Sequence, residues 1–285
     1  MNTPYSQIFS IKKMTDSDFE RISTFIYNEL GMKMPPQKKV LLEGRLYRRL
    51  RELNFDTYKE YIDFVFTKGE FNGELITMFD LVTTNKTDFF RESQHFDFFT
   101  NFLLKDFKAR SSDKKLKVWS AGCSSGEEVY TLAMVCNEFK LQNPDFDFHI
   151  LGTDISSRMI TAATLAIYPE THIADISFDY KRKYLLKSKD HTKKTIRIIP
   201  EIRTKTSFIR HNLMNDNYNE FEMYDVIFCR NVLIYFDADT QKLVIKRLVN
   251  RLKIGGYLFL GHSETVNNTA VFDLQHVQPS VYIKK

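Results

Sequence analysis

The spacing of apolar positions changes character along the chain. Over the first 80 or so residues they return at helical intervals: "TDSDFERISTFIYNELG" opens at a cap, Thr15 or Asp16, and stops at Gly31, and Pro35 and Pro36 start the next segment. In "PQKKVLLEGRLYRRLRELN", Leu42, Leu46, Leu50 and Leu53 share one face, while Arg45, Arg48 and Arg51 follow at i, i+3 on the other side. From Lys117 onward short apolar runs alternate with helical stretches. The runs "KVWSAG", "FHILGTD", "TSFIRHNL", "YDVIFCRNVLIYF" and "GYLFLGHSE" predict βαβ units in a mainly parallel sheet, and "FDLQHVQPSVYIKK" a final hairpin. Residues 81–116 read as a phenylalanine-rich, mostly helical bridge that must pack on one side or the other. Residues 176–206, with "KSKDHTKK" between two apolar runs, read as an inserted hairpin.

Composition narrows the class. At 285 residues the chain can hold one large domain or a large one plus a small one. The net charge of +5 permits an acidic partner without choosing one. Locally the choice sharpens: within residues 38–51, Lys38, Lys39, Arg45, Arg48, Arg49 and Arg51 oppose the single acid Glu43, giving a basic helix face or, more plainly, a solvated one. Three cysteines without a CxxC pair suggest neither a disulfide framework nor a zinc site, and fit a reducing cytosol. His95, His149, His172, His191, His211, His262 and His276 show no spacing with acids or cysteines that suggests a triad, so no metal is expected. The opening "MNTPYSQIFSIKKMTD" has no apolar core of a signal peptide, and no run is long enough to span a bilayer, so a cytoplasmic, non-embedded protein is expected.

Chemistry concentrates in "VWSAGCSSGEEVYTLAM", a buried strand running through small residues into a helix. A dinucleotide fingerprint would be GxGxxG; here Gly122 and Gly126 can give the turn and close approach, but the middle glycine is missing. Glu127 and Glu128 then put negative charge where a pyrophosphate would need none, which weakens an NAD-dependent oxidoreductase reading. A ligand with an ammonium group suits them, although both could simply complement the helix terminus. Asp154, at the end of the next strand, can accept from ribose hydroxyls or cap the helix near Ser156. Adenosine without a pyrophosphate, carrying an amino-acid tail, describes S-adenosylmethionine. Arg230 and Asn231 sit just past another apolar strand, at the edge where open α/β sheets bind ligands.

Taken together, "TTNKTDFFRE", "SAGCSSGEEVYTLAM", "LGTDIS", "HNLM", "CRNVLIYFD" and "LKIGGYLFLGHSE" resemble the chemotaxis receptor glutamate methyltransferases, the CheR family, over nearly the whole chain. The resemblance implies an all-α N-terminal domain (residues 1–80), a linker (81–116) and a class I S-adenosylmethionine-dependent methyltransferase domain (117–285). That domain would have a Rossmann-like, mostly parallel sheet with an antiparallel last strand and a small inserted β subdomain at about 176–206. It also implies methyl transfer to glutamate carboxylates in the cytoplasmic helical region of membrane chemoreceptors, with S-adenosylhomocysteine as product. Carried over by position, Asn85, Thr87 and Arg91 are the linker's contribution to the cofactor pocket, one of Glu127 and Glu128 contacts the methionine end, and Gly122 is a further cofactor-binding residue. Asp154 matches the ribose acid, Asn212 and Leu213 the adenine side, Arg230 and Asn231 the floor, and Tyr235 the aromatic hydroxyl near the reacting methyl. Arg91 and Tyr235 are the candidate catalytic residues, and the basic face of residues 38–51 becomes a dock for an acidic receptor helix.

Two departures stand out. Val129 replaces a proline common after "GEE", and "KSKDHTKK" stands where members that grip a receptor's C-terminal peptide carry a glycine-containing loop, which puts that tether in doubt. A glutamate side chain, with an ordinary pKa of about 4.3, is already ionised at neutral pH, so the reaction needs no general base. The competing readings are a non-catalytic S-adenosylmethionine sensor and a methyltransferase acting on RNA. The second would want stacking aromatics beside the basic residues, where only Tyr47 stands, so no nucleic-acid partner is expected.

Overall fold

The computed structural model describes residues 11–68, 73–111, 113, 115–190 and 192–285, so the expectations for residues 1–10 and for His191 lie outside it. The chain divides into two compact units, Met1–Thr84 and Asn85–Lys285.

The first unit is helical: α1 (Asp16–Leu30), α2 (Lys39–Glu52), α3 (Tyr58–Lys68) and α4 (Glu74–Val82). Thr15 starts α1 through a capping box, its hydroxyl accepting from the Asp18 N–H while the Asp18 carboxylate accepts from the Thr15 N–H, and Gly31 ends it at φ 68°. Ile22, Ile26, Leu42, Leu46, Leu50, Tyr61, Ile62, Met78 and Val82 form the buried interior. Inside it stands an acid. The Glu74 side chain, 4% exposed, accepts from Arg49 Nε at 2.9 Å, Arg49 Nη2 at 2.5 Å and the Tyr61 hydroxyl at 2.9 Å. Arg45 likewise turns toward its own unit, donating to the Val82 carbonyl and, at 2.8 Å, to the Thr84 hydroxyl. The expected six-residue basic face is corrected accordingly. Arg49 and Arg45 serve α4 and its exit, Lys39 pairs with Asp16 at 2.7 Å, Arg48 pairs with Glu52 at 2.9 Å, and of the arginines of this face Arg48 and Arg51 are exposed.

The second unit opens with α5 (Gln94–Phe98), a π-helical turn (Phe99–Leu103) and α6 (Leu104–Arg110). These carry the phenylalanine-rich bridge onto the sheet: Phe89, Phe96, Phe99 and Phe107 are buried in one core with Phe228 and Phe259, whose rings stack at 4.2 Å. Each such burial stabilises by about 1.5–3 kcal/mol. The sheet follows as β1 (Lys115–Ala121), α7 (Glu127–Gln142), β2 (Asp147–Asp154) and α8 (Ser157–Leu165), then β3 (Ile167–Pro169), α9 (Phe178–Tyr184), β4 (Leu185–Lys187) and β5 (Thr195–Ile198). It continues through α10 (Pro200–Arg203), β6 (Thr206–Arg210), β7 (Tyr224–Cys229), α11 (Ala238–Asn250), β8 (Leu252–Leu260), β9 (Leu274–Gln278) and β10 (Val281–Lys284).

Seven strands lie in the order β6-β2-β1-β7-β8-β10-β9, with the first five parallel and β10 antiparallel to both neighbours. Every residue of β7 is buried, as a strand covered on both faces requires. The second sheet is three-stranded and antiparallel, β3-β5-β4. It begins at Ile167, ahead of the expected 176, and ends before 206, because Thr206–Arg210 already belongs to the main sheet beside β2. The double glycine of "LKIGGYLF" forms an irregularity within β8, where Gly255 takes φ +72° and the register with β7 shifts.

Arg49→Ala is expected to lower the opening free energy of the helical unit by about 3 kcal/mol, because it leaves the Glu74 charge buried without its cation. Arg51→Ala, at an exposed position, should change it by less than about 0.5 kcal/mol. Hydrogen exchange at the slowest amides of α2 and α4 in the full chain measures both, and equal effects would show that Glu74 does not depend on Arg49.

Candidate functional site

Strand order locates the site. From β1 the chain moves outward to β2 and β6, then crosses to β7 on the other side of β1, so the crevice beyond the carboxyl ends of β1 and β7 is the switch point of the sheet. Into it run the loop after β1, the loop after β7 and the linker that precedes α5.

The loop after β1 turns on glycine. Gly122 and Gly126 take φ 87° and 93°; an added Cβ at Gly122 would strike the Val232 side chain, and one at Gly126 would come within 2.9 Å of Ala163 Cβ. The amides of Gly122 and Cys123 both donate to the Thr153 carbonyl at 2.8 Å. The amide of Ser124 donates to Asp154 Oδ2 at 2.8 Å and that of Ser156 to Asp154 Oδ1 at 2.9 Å, while Ser156 itself caps α8 through Met159 N–H. The Asp154 carboxylate, at the end of β2, is thereby aimed by two backbone donors.

The two glutamates at the start of α7 diverge. Glu127, 1% exposed, accepts from the Ser125 hydroxyl at 2.7 Å and lies 3.6 Å from His172; burial pushes its carboxyl above the ordinary range. Glu128 reaches back over the crevice, where Oε1 accepts from the Ser120 hydroxyl at 2.7 Å and Oε2 from Arg230 Nη1 at 2.9 Å. Of the pair, Glu128 is the residue at the strand ends.

Arg230 binds the three segments together. Its side chain is 2% exposed, and Nη2 donates to the Arg91 carbonyl at 2.5 Å and to Glu92 Oε2 at 2.9 Å, while the guanidinium stands 5.5 Å from the centre of the Phe96 ring. Its Nε makes no hydrogen bond. Arg230 therefore positions the linker and Glu128. Asn231 takes φ 57° and donates from Nδ2 to Glu92 Oε1 at 3.2 Å. Burial would raise the Glu92 carboxyl, but the hydrogen bond and charge of Arg230, together with Asn231 and His262, hold that carboxyl below the ordinary range. Glu264, 6% exposed, accepts from the amides of Gly261 at 2.6 Å, Asn231 at 2.9 Å and Ile234 at 3.2 Å, and so fixes the 3₁₀ turn Leu233–Tyr235 that carries half-buried Tyr235.

The linker adds Asn85, whose carbonyl accepts from the Ser124 hydroxyl at 2.8 Å, half-buried Thr87, and Arg91, whose Nη1 donates to the Lys86 carbonyl at 2.9 Å. On the far side of Asp154 the His211 amide donates to the Asp154 carbonyl, and Asn212 and buried Leu213 follow; Asn212 Oδ1 accepts from the Met214 N–H at 3.0 Å. Asn85, Arg91, Gly122, Glu128, Asp154, Arg230 and Asn231 thus share one edge of the sheet, whereas Glu127 faces His172. Glu92 and Glu264 are the acids that sequence reasoning left without a role, although both stand inside quoted motifs, "FFRE" and "GHSE". Beside Glu92 stands His95, 1% exposed, pushed down to about 4 first by burial and then by the Arg230 charge.

These residues suit a zwitterionic nucleoside. A carboxylate at a strand end, a second carboxylate backed by a buried cation, and a glycine with no room for a Cβ match a ribose, an ammonium group and a close backbone approach. The comparisons with known proteins agree with this chemistry. Residues 85–281 match the family model described as "CheR methyltransferase, SAM binding domain", and residues 17–83 match "CheR methyltransferase, all-alpha domain". A chemotaxis protein methyltransferase of Borreliella burgdorferi is 36% identical over 288 residues, covering all of both chains. One from Escherichia coli is 32% identical over 255 residues, 90% of this chain and 86% of the relative, and chemotaxis protein methyltransferase 1 of Pseudomonas aeruginosa is 32% identical over 257 residues, 89% and 92%. The chain therefore belongs to the CheR family of S-adenosylmethionine-dependent chemotaxis methyltransferases.

Proposed function

We propose that this chemotaxis methyltransferase esterifies glutamate side chains in the cytoplasmic helices of chemoreceptors, with Glu128 and Asp154 as groups that hold S-adenosylmethionine and Arg91 as the group that holds a carboxylate in the pocket. The observation that carries the assignment is the buried Arg230 bridge, which sets Glu128 and the Arg91 backbone on one edge of the sheet. When bound, the cofactor supplies an electrophilic methyl on a sulfonium. Glu128 accepts its ammonium group, Asp154 its ribose hydroxyls, Asn212 and Leu213 border the adenine, and Asn85, Thr87 and Asn231 close the pocket around Gly122. Arg91 holds a carboxylate, the cofactor's or the incoming glutamate's. Tyr235, on the turn fixed by Glu264, places its hydroxyl beside the reacting centre. A carboxylate nucleophile arrives ionised, so catalysis comes from orientation and from a water-poor site, without a general base.

The receptor helix meets α2. Arg48 and Arg51 are exposed there, and so are Val40, Leu41 and Tyr47, at 77%, 49% and 41%. Basic and apolar side chains together suit an amphipathic acidic helix better than a nucleic acid. Among the described residues no helix is long and apolar enough to cross a membrane.

The test is transfer of a labelled methyl from S-adenosylmethionine to chemoreceptor-containing membranes. Label released as methanol by mild base is expected, and base-stable label would overturn carboxyl methylation. Arg91→Ala is expected to lower turnover about 100-fold through lost orientation, whereas Arg51→Ala should mainly weaken receptor binding; equal losses in turnover would count against Arg91. A receptor's C-terminal pentapeptide should show no measurable binding, and binding that disappears on deleting residues 187–194 would show that the inserted sheet does hold a tether.

A further inference from the structure

Three potential ligands of a metal ion converge behind the pocket floor. Glu92 and His95 stand at an i, i+3 spacing at the start of α5, and His262 follows the end of β8. Their ligand atoms all lie within 4.8 Å of one another, with His95 Nδ1 3.7 Å and His262 Nε2 3.8 Å from the same oxygen, Glu92 Oε2. Tetrahedral Zn²⁺, with bonds of about 2.0–2.2 Å, holds its ligand atoms about 3.3–3.5 Å apart, so shifts of a few tenths of an ångström close those two edges.

A second observation sets the cluster apart from a chance meeting of surface groups. His95 is 1% exposed, and neither ring nitrogen makes a well-formed hydrogen bond; the Pro279 carbonyl stands near enough to influence the ring without completing one. A buried imidazole without a partner is costly unless something binds it. His262, with its side chain 46% exposed and its ring centre 4.9 Å from that of His95, gives an ion a way in. Two imidazoles and one carboxylate with a fourth position open form a borderline-soft donor set of the zinc kind.

Glu92 Oε2 is also the oxygen that accepts from Arg230 Nη2 at 2.9 Å and from the His262 amide at 3.2 Å. An ion there takes electron density from the Arg230 hydrogen bond and sets a second positive charge beside the guanidinium. We propose that Glu92, His95 and His262 form an inhibitory Zn²⁺ site, whose occupation draws Glu92 from Arg230 and loosens the cofactor pocket. Coupling of this kind is reciprocal: whatever factor Zn²⁺ takes from cofactor affinity, the cofactor takes from Zn²⁺ affinity. The metal arm requires neither receptor nor cofactor, and only the coupling rests on the pocket assigned above.

The experiment is calorimetric titration of the chelator-stripped full-length protein with Zn²⁺ alone, repeated with Co²⁺ to read its visible d–d absorption. One ion per chain in a tetrahedral-type Co²⁺ spectrum is expected, with binding weakened more than about tenfold in His262→Gln, the scale found even when a ligand's outer partner is lost. His262→Gln alters an exposed side chain and should bind S-adenosylhomocysteine as wild type does when metal-free, which serves as the folding control. In wild type, Zn²⁺ should weaken S-adenosylhomocysteine binding severalfold, and the variant should lose that effect. Undiminished Zn²⁺ binding in His262→Gln would place the ion elsewhere, at His172 or His276 for example, and overturn the site. Equal S-adenosylhomocysteine affinity with and without bound Zn²⁺ would overturn the inhibition. Absence of any S-adenosylhomocysteine binding would instead overturn the pocket assignment while leaving the Zn²⁺ result standing.

Discussion

A guanidinium ion sealed from water has to be surrounded by acceptors, and the second unit is organised around satisfying one. Arg230 leaves the end of β7 with a side chain 2% exposed and gathers Glu128 from α7, Glu92 and the Arg91 carbonyl from the linker, and the face of Phe96 from α5. Removing one partner of such a set costs about 3–5 kcal/mol, because the remaining charge stays buried. Neutralising the set as a whole with apolar residues could leave the fold intact, but no apolar substitute could aim Glu128 over the crevice. The cation is thus better understood as a device for geometry than as a source of stability.

The segments that meet around this bridge also hold an otherwise unfavourable backbone. Phe90, Glu92, Ser124 and Asn231 all take positive φ, between 49° and 57°, in the segments that meet at the strand ends. Asn tolerates this conformation, but for Phe, Glu and Ser it costs about 1–2 kcal/mol each. At Glu92 the left-handed turn brings the carboxylate back to Arg230 and Asn231; at Ser124 it lets the amide reach Asp154 while the hydroxyl reaches the Asn85 carbonyl. Hydrogen bonds to buried, charged partners offset the strain, and the chain stays in a shape that it would not choose in isolation.

Much of this was legible in the sequence, and the rest was hidden for definite reasons. The βαβ alternation, the glycines of "AGCSSGEE" and the acid at the end of "LGTD" are local patterns, and local patterns fixed the parallel sheet and the crevice. Glu127 and Glu128 could not be separated, since neighbouring helical residues point about 100° apart and only the seating of α7 decides which faces the strands. Arg49 looked like surface charge because its partner, Glu74, lies on another helix. The three-residue strand at Ile167–Pro169 ends in proline and carries too short a run to be distinguished from a loop. Glu92 and His262 meet across a separation of 170 residues, which no spacing rule spans.

That separation also sets an order of events during synthesis. The linker precedes Arg230 by 138 residues, counted from Glu92, and the C-terminal strand that supports β8 comes later still. While the ribosome is extending β1 through β6, Glu92 has no Arg230 to hold its left-handed turn, although the Phe90 N–H can already reach the Thr131 hydroxyl on α7. Until β7 has been made the pocket lacks its buried cation, so a nascent or truncated chain that ends short of it can hold its linker only through earlier partners, such as the Ser124 hydroxyl that donates to the Asn85 carbonyl.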